Sequence, residues 1–269
     1  MSDLQLGFLG AGNMAEAIAR GILGARVLAA GEMVAADPAD DRRRLFEQDL
    51  GIACHTDGAA VVEAAPVILV AVKPQQFDPA LAALGGRFGP KKLVISICAG
   101  ISTRHVEEVL AAGTRVVRAM PNTPMLVGRG MVGLAAGSRA TPDDLATAER
   151  LLGAAAEVVR VPENLMDAVT AVSGSGPAYF FYLTELLAAA AVEVGLSEDD
   201  ARRLARGTFE GAARLLAESG EEAEALRKKV TSPGGTTEAA IRTFDVLGLK
   251  QTVLAAVKAA RDRGRELGR

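Results

Sequence analysis

The stretch Val230-Thr231-Ser232-Pro233-Gly234-Gly235-Thr236-Thr237-Glu238-Ala239-Ala240-Ile241 concentrates groups that can hold a small polar molecule. A Ser-Pro-Gly-Gly-Thr-Thr turn feeding a helix offers backbone amides and the hydroxyls of Ser232, Thr236 and Thr237 in a small volume. Amides at a helix start suit an anion such as a carboxylate without an arginine. Gly-Gly-Thr alone would read equally well as a cap between two helices. A second cluster opens the chain: Gly10-Ala11-Gly12-Asn13-Met14-Ala15 follows the apolar run Leu4–Leu9 and leads into Ile18, Ile22 and Leu23 at helical spacing. This is a G-x-G-x-x-A dinucleotide fingerprint. Gly10 permits the tight turn, Gly12 lets the backbone approach a pyrophosphate, and Ala15 allows close helix–strand packing.

Asp37 closes the second apolar run, where a carboxylate accepts hydrogen bonds from adenine-ribose hydroxyls, and that favours NADH. Arg42 and Arg43 offer a competing partner for a 2′-phosphate, although they read more simply as the solvated first turn of a helix. The cofactor expected is NADH or NADPH. Ala71-Val72-Lys73-Pro74 and Ala119-Met120-Pro121-Asn122-Thr123-Pro124 follow further apolar runs, beyond whose carboxyl ends doubly wound sheets bind ligands. Lys73 reads as a ligand contact or as an exposed loop lysine with equal force.

The elements positioning these groups show in the hydrophobic pattern. Short apolar runs at Leu4–Leu9, Met33–Ala36, Val67–Val72, Leu93–Ile97 and Val116–Ala119 alternate with helix-length segments, predicting a parallel sheet covered on both faces. Thr141-Pro142-Asp143-Asp144 is a helix start, with a hydroxyl cap, proline in the first turn and acids at the positive dipole end. After Val158–Val161 no strand is expected. The fold class is therefore α/β: an N-terminal Rossmann domain over residues 1–161 and an all-helical domain over 162–269. The helix after Pro177 carries Tyr179, Phe180, Phe181, Leu183, Leu186, Leu187 and Val192 on nearly all faces, so part of its surface is expected at a subunit interface.

The composition narrows the function classes. The 269 residues are 49% hydrophobic and 23% charged, with 30 basic against 33 acidic side chains and a formal charge of -3. Such a balance favours neither nucleic acid nor an anionic membrane as partner. Cys54 and Cys98 lie in no CxxC pair and read as small core residues; His55 and His105 lie in no zinc spacing, so no metal is expected. No signal segment is recognised at the start, and Ala168–Thr184, though uncharged, contains Gly174, Gly176 and Pro177, which makes a poor membrane span. A cytoplasmic location is the default.

Phe8-Leu9-Gly10-Ala11-Gly12-Asn13-Met14, Ala71-Val72-Lys73-Pro74, Arg118-Ala119-Met120-Pro121-Asn122-Thr123-Pro124, Ser173-Gly174-Ser175-Gly176-Pro177-Ala178-Tyr179 and Ser232-Pro233-Gly234-Gly235-Thr236-Thr237 together resemble pyrroline-5-carboxylate reductase, in family order and across nearly the whole chain. The resemblance implies NAD(P)H-dependent reduction of 1-pyrroline-5-carboxylate to L-proline, the last step of proline biosynthesis, and a helical domain that dimerises, with dimers assembling into larger rings. It implies that Thr237 meets the substrate's ring nitrogen and that Ser232, Gly234, Gly235 and Thr236 hold its carboxylate. Gly12, Asn13 and Met14 would contact the cofactor phosphates; Ala71, Val72, Lys73, Pro74, Met120, Pro121 and Asn122 would line the way to the nicotinamide. Asp37 departs from the small polar or basic residue that many relatives carry there, which leaves NADH against NADPH open.

The inventory suits such a reaction. Hydride addition to a protonated imine neutralises a cation, so no oxyanion needs stabilising. A β-hydroxyacid dehydrogenase shares the two-domain plan but needs a lysine just after the first domain, and none lies between Leu93 and Arg227. Reduction of another cyclic imine, or a nucleotide-binding role without turnover, are the remaining alternatives.

Overall fold

The computed structural model describes residues 4–268. Strands and helices alternate through the first half: β1 (Leu6–Leu9), α1 (Asn13–Gly24), β2 (Met33–Ala36), α2 (Asp40–Gln48), β3 (Ala53–His55), α3 (Gly58–Ala64), β4 (Val67–Val70), α4 (Phe77–Ala82), β5 (Leu93–Ser96), α5 (Thr103–Val109), β6 (Arg115–Pro121), β7 (Gly130–Ala136), α6 (Pro142–Leu152) and β8 (Ala156–Arg160). Helices follow: α7 (Met166–Val169), α8 (Gly176–Glu193), α9 (Glu198–Ser219), α10 (Ala223–Lys229), α11 (Thr236–Val246) and α12 (Leu249–Leu267). Contacts divide the chain into two units. One runs through Ser175 and takes back the residues from Ala260 onward; the other is Gly176–Ala259.

In the first unit the strands form one sheet in the order β3-β2-β1-β4-β5-β6-β7-β8. Alternate side chains face opposite layers, as the two-residue strand period demands. Leu6, Phe8, Leu69 and Ile95 pack with α1 and α6, while Leu9, Val34, Ile68, Val70 and Val94 pack with the layer of α3, α4 and α5. Both faces are thus buried, which explains the unbroken apolar runs. The expected all-parallel sheet needs one correction: β6 and β7 pair antiparallel. The connection is too short for a crossover. A 3-10 turn over Thr123–Val127 ends at Gly128 in the left-handed region (φ 68°), and the chain reverses there. Thr141 caps α6 as expected, in a reciprocal capping box with Asp144, whose carboxylate also receives Arg115 at 2.5 Å.

Between α7 and α8 the chain makes a π-helical turn, Thr170–Gly174. The end of α12 returns to this unit through two glycines. A Cβ at Gly264 would lie 3.5 Å from Asp167, and one at Gly268 would lie 2.7 Å from the Gly100 carbonyl.

The second unit is helical. Within it, α8 packs on α9, where Phe180 and Phe209 stack with centroids 5.7 Å apart. Ser197 caps α9 by accepting the Asp200 amide. The apolar face of α8 stays uncovered in the single chain: Phe181 is 62% exposed and Leu187 51%. Contiguous exposed apolar surface of this kind marks an association site. No described helix is long and apolar enough to cross a membrane.

Candidate active site

The first cluster forms where β1 gives way to α1, beside β4. Gly10 has φ +95°, and a Cβ there would stand 2.8 Å from the Ala71 carbonyl oxygen, so only glycine lets the ends of β1 and β4 approach. Gly12 is different. It caps α1 at φ -68°, and a Cβ on it would meet nothing within 4 Å. No side chain caps this helix, whose ladder begins with the Glu16 amide on the Gly12 carbonyl at 2.9 Å. The amides of Asn13, Met14 and Ala15 therefore precede the ladder, at the positive end of the dipole. An open glycine beside an uncapped amide turn fits the diphosphate of a dinucleotide.

Asp37 stands just past β2 and is fixed from both sides. Its Oδ2 accepts the Ala11 amide at 2.7 Å and its Oδ1 accepts the Ala39 amide at 2.8 Å. The carboxylate is aimed at the glycine turn with further lone pairs available, as ribose recognition requires. Arg42 and Arg43 are half-buried and engaged rather than freely solvated. Arg42 donates through Nε to the Ala11 carbonyl at 2.6 Å and through Nη2 to Glu16 at 2.7 Å. Arg43 donates to the carbonyls of Asp37 and Pro38 and to the Asp40 carboxylate. Burial alone would raise the Glu16 pKa, but the bonds and charges of Arg42 and Arg20 outweigh it and hold the carboxyl below its ordinary range.

The loops after β4 and β6 complete this end of the sheet. Ala71 continues the parallel pairing by donating to the Leu9 carbonyl at 2.8 Å, and exposed Lys73 precedes a 3-10 turn begun by Pro74. The Val72 carbonyl accepts the Cys98 thiol at 3.3 Å. Met120 and Pro121 end β6, and Asn122, 7% exposed, ties three segments together. Its Oδ1 accepts the Met131 amide at 2.9 Å, while Nδ2 donates to the Ser173 carbonyl and hydroxyl, each at 3.2 Å. An amide donor on one side and a carbonyl on the other fix the orientation of the side chain. Arg118, nearly buried, reaches Glu163 at 3.4 Å and Asp167 at 3.8 Å. Glu163 in turn accepts the amide and hydroxyl of Thr103 at the start of α5.

The second cluster lies within the helical unit. Gly234 takes the turn at φ +71°, and its amide donates to Glu238 at 2.8 Å, while the Gly235 amide donates to the Ser232 carbonyl at 3.0 Å. Those two donors are already engaged. The amides of Thr236, Thr237 and Glu238 form the first turn of α11, ahead of the ladder bond from Ala239 to Gly235. Gly234 and Gly235 line an open cavity of about 670 Å³ whose wall carries Arg227, Glu238, Arg242 and Asp245. Sequence reasoning missed these four, although Glu238, Arg242 and Asp245 are spaced to share one face of α11. It also missed Glu16 and the partnership of Asn122 with Ser173.

Cys54 and Cys98 are free and buried, and burial pushes both thiols up to about 11, so neither is a nucleophile at neutral pH. Among the described residues no group of three His, Cys, Asp or Glu is placed to hold a metal.

Comparison with known proteins bears on the chain from end to end. It is 41% identical over 267 residues to the pyrroline-5-carboxylate reductase of Synechocystis sp., covering 99% of each chain. The chain belongs to the pyrroline-5-carboxylate reductase family. Its reductase relative from Methanosarcina acetivorans is 39% identical over the full length of both chains. Residues 163–267 match the family described as pyrroline-5-carboxylate reductase dimerisation, and residues 5–100 match the NADP oxidoreductase, coenzyme F420-dependent family. Among solved structures, a reductase from Coxiella burnetii superposes with TM-score 0.93 at 34% identity, covering 100% of each chain. The pyrroline carboxylate reductase of Plasmodium falciparum, solved with NADP bound, gives 0.85 at 28% identity over 100% of each chain. The dimerisation match and the uncovered face of α8 together support self-association.

Proposed function

We infer that this chain reduces 1-pyrroline-5-carboxylate to L-proline with NADH or NADPH, the last step of proline biosynthesis. The observation that carries the reading is 41% identity to a reductase of this name over 99% of both chains. The glycine turn of the first unit and the Ser-Pro-Gly-Gly-Thr-Thr turn of the second suit such a reaction. The dihydronicotinamide supplies the hydride. The remaining tasks are binding, orientation and exclusion of water, and they fall to the chain.

In this reading residues 1–161 carry the dinucleotide. The turn at Gly10, Gly12, Asn13 and Met14 holds the diphosphate, Asp37 accepts from the adenine ribose, and Ala71, Val72, Lys73, Pro74, Met120, Pro121 and Asn122 line the nicotinamide site. Residues 162–269 carry dimerisation and substrate binding. Ser232 and Thr236 hold the substrate carboxylate on the turn that Gly234 and Gly235 form, the amides of those two glycines being spent on Glu238 and the Ser232 carbonyl. Thr237, partly exposed at the first turn of α11, places its hydroxyl on the ring nitrogen and keeps the imine carbon facing the hydride. Because addition neutralises the iminium, a neutral hydroxyl suffices where a carbonyl substrate would need a stronger acid. The protein works in the cytoplasm as a homodimer joined through α8, and dimers assemble further into rings.

The test is loss of nicotinamide absorbance with pyrroline-5-carboxylate. Wild type turns over. Thr237→Val, which keeps the shape and removes the hydroxyl, loses about a hundredfold in kcat, and Thr237→Ser retains most of it. Full turnover in Thr237→Val would remove Thr237 from the site. No turnover by folded, cofactor-binding wild type would remove the reaction.

A further inference from the structure

The Ala11 peptide is clasped at both ends, its amide by Asp37 and its carbonyl by Arg42. This peptide sits inside the dinucleotide fingerprint, so the two side chains holding it border the place where the adenine ribose is read. Asp37 cannot swing aside, because each of its oxygens already receives a backbone amide. A ribose diol donates to such a carboxylate, whereas a 2′-phosphate meets fixed negative charge. Accommodating the phosphate requires a cation, and those nearby are engaged. Arg43 is tied to the Asp37 and Pro38 carbonyls and to Asp40.

Arg42 is held by Glu16. The ion pair is 2.7 Å long, with side chains only 20% and 17% exposed, so solvent screens it less than a surface pair. The other oxygen of Glu16 accepts from Arg20 at 2.9 Å, which orients the carboxylate towards Arg42. Glu16 lies in the first turn of α1, one ladder step beyond Gly12, and adds its own negative charge beside the phosphate-binding amides.

Building on the cofactor site assigned above, we propose that the chain selects NADH over NADPH and that Glu16 sets the margin, by holding Arg42 off the 2′-phosphate position beside the fixed Asp37 carboxylate. Glu16 is a specificity determinant acting through Arg42. The nicotinamide end, and with it the hydride step, is the same for both cofactors.

Fluorescence titration of NADH and NADPH into the full chain tests this without turnover, so its outcome is separate from that of the reaction assay. Wild type binds NADH at least about tenfold more tightly than NADPH. Glu16→Gln narrows the ratio of dissociation constants about tenfold, the scale of one new charge-assisted contact. In an Arg42→Gln background the same change moves the ratio less than about twofold, because the guanidinium it would release is absent. Glu16→Asp, which keeps the charge on a shorter arm, falls between wild type and Glu16→Gln. Equal or tighter NADPH binding by wild type overturns the proposal, and that measurement needs no variant to fold. An equal effect of Glu16→Gln with and without Arg42 would show simple charge repulsion and overturn the role given to the pair.

Discussion

Replacing Asn122 by alanine probes the junction that fixes the β6 loop. The alanine leaves the Met131 amide without its acceptor at 2.9 Å and the Ser173 carbonyl and hydroxyl without their donor. A stranded buried donor costs about 1–3 kcal/mol, and each lost bond about 1 kcal/mol net. The expected loss is about 3 kcal/mol, an urea midpoint lower by about 1 M or more. Asn122→Asp separates the two halves of the network. It keeps an acceptor for Met131 but turns a carboxylate oxygen towards the Ser173 carbonyl, so it stays about 2 kcal/mol below wild type. The measurements are urea unfolding at fixed protomer concentration, since association shifts the midpoint, and amide exchange across β7. Exchange at Met131 accelerates in Asn122→Ala and not in Asn122→Asp. On the nicotinamide-lining role proposed above, displacing the Met120-Pro121-Asn122 segment by about 1 Å costs about a hundredfold in kcat. An unfolding free energy within about 0.5 kcal/mol of wild type, with Met131 still protected, would refute the bridge.

Two glycines and two thiols give further expectations. Gly12→Ala adds a methyl where nothing stands within 4 Å, so it changes stability by less than about 1 kcal/mol yet weakens cofactor binding in fluorescence titration; unchanged binding would mean no ligand occupies that space. Gly10→Ala forces a side chain to φ +95° and to 2.8 Å from the Ala71 carbonyl, costing about 3 kcal/mol in urea unfolding. The thiols of Cys54 and Cys98 ionise near 9.0 when the chain is unfolded and at about 11 in the fold. Unfolding then releases protons above pH 9, so stability present at lower pH is lost as pH rises towards 11. By about pH 10.5 each thiol contributes a loss of about 2 kcal/mol. A Cys54→Ala, Cys98→Ala double variant loses less between about pH 8.5 and 10.5; equal losses would clear the thiols.

Strands β1, β2, β4, β5 and β6 were legible because parallel strands buried on both faces read as continuous apolar runs. Two strands were not. β3 is a three-residue edge strand with only Cys54 buried, too short to carry a period. β7 carries Gly130 and Gly133, which argue against a strand until their neighbours are known. A Cβ at Gly133 would lie 2.6 Å from a Val169 methyl, and one at Gly130 would lie 2.8 Å from Met125. The glycines are there for packing by residues distant in sequence or hidden in a turn. The same limit applies to the site. The fingerprint at Gly10 and Gly12 is contiguous and could be read directly, as could the turn at Gly234. Asn122 and Ser173 are 51 positions apart, and Arg42 is 31 from Ala11. Local pattern says nothing about such meetings. Arg42 and Arg43 looked like a solvated helical turn because charge alone cannot tell water from a carbonyl partner.

The return of α12 to the sheet-bearing unit sets an order on biosynthesis. A nascent chain that has cleared the ribosome only as far as Ser175 has every described strand, but not the residues from Ala260 that pack beside Asp167 and Gly100. The whole helical unit must be synthesised before that layer closes. Until then the unit keeps an open seam. Its final closure brings together segments more than 150 residues apart, as Gly100 and Gly268 are, the kind of non-local contact that forms slowly. Release from the ribosome, chaperone engagement and assembly of subunits would then all compete during the same interval.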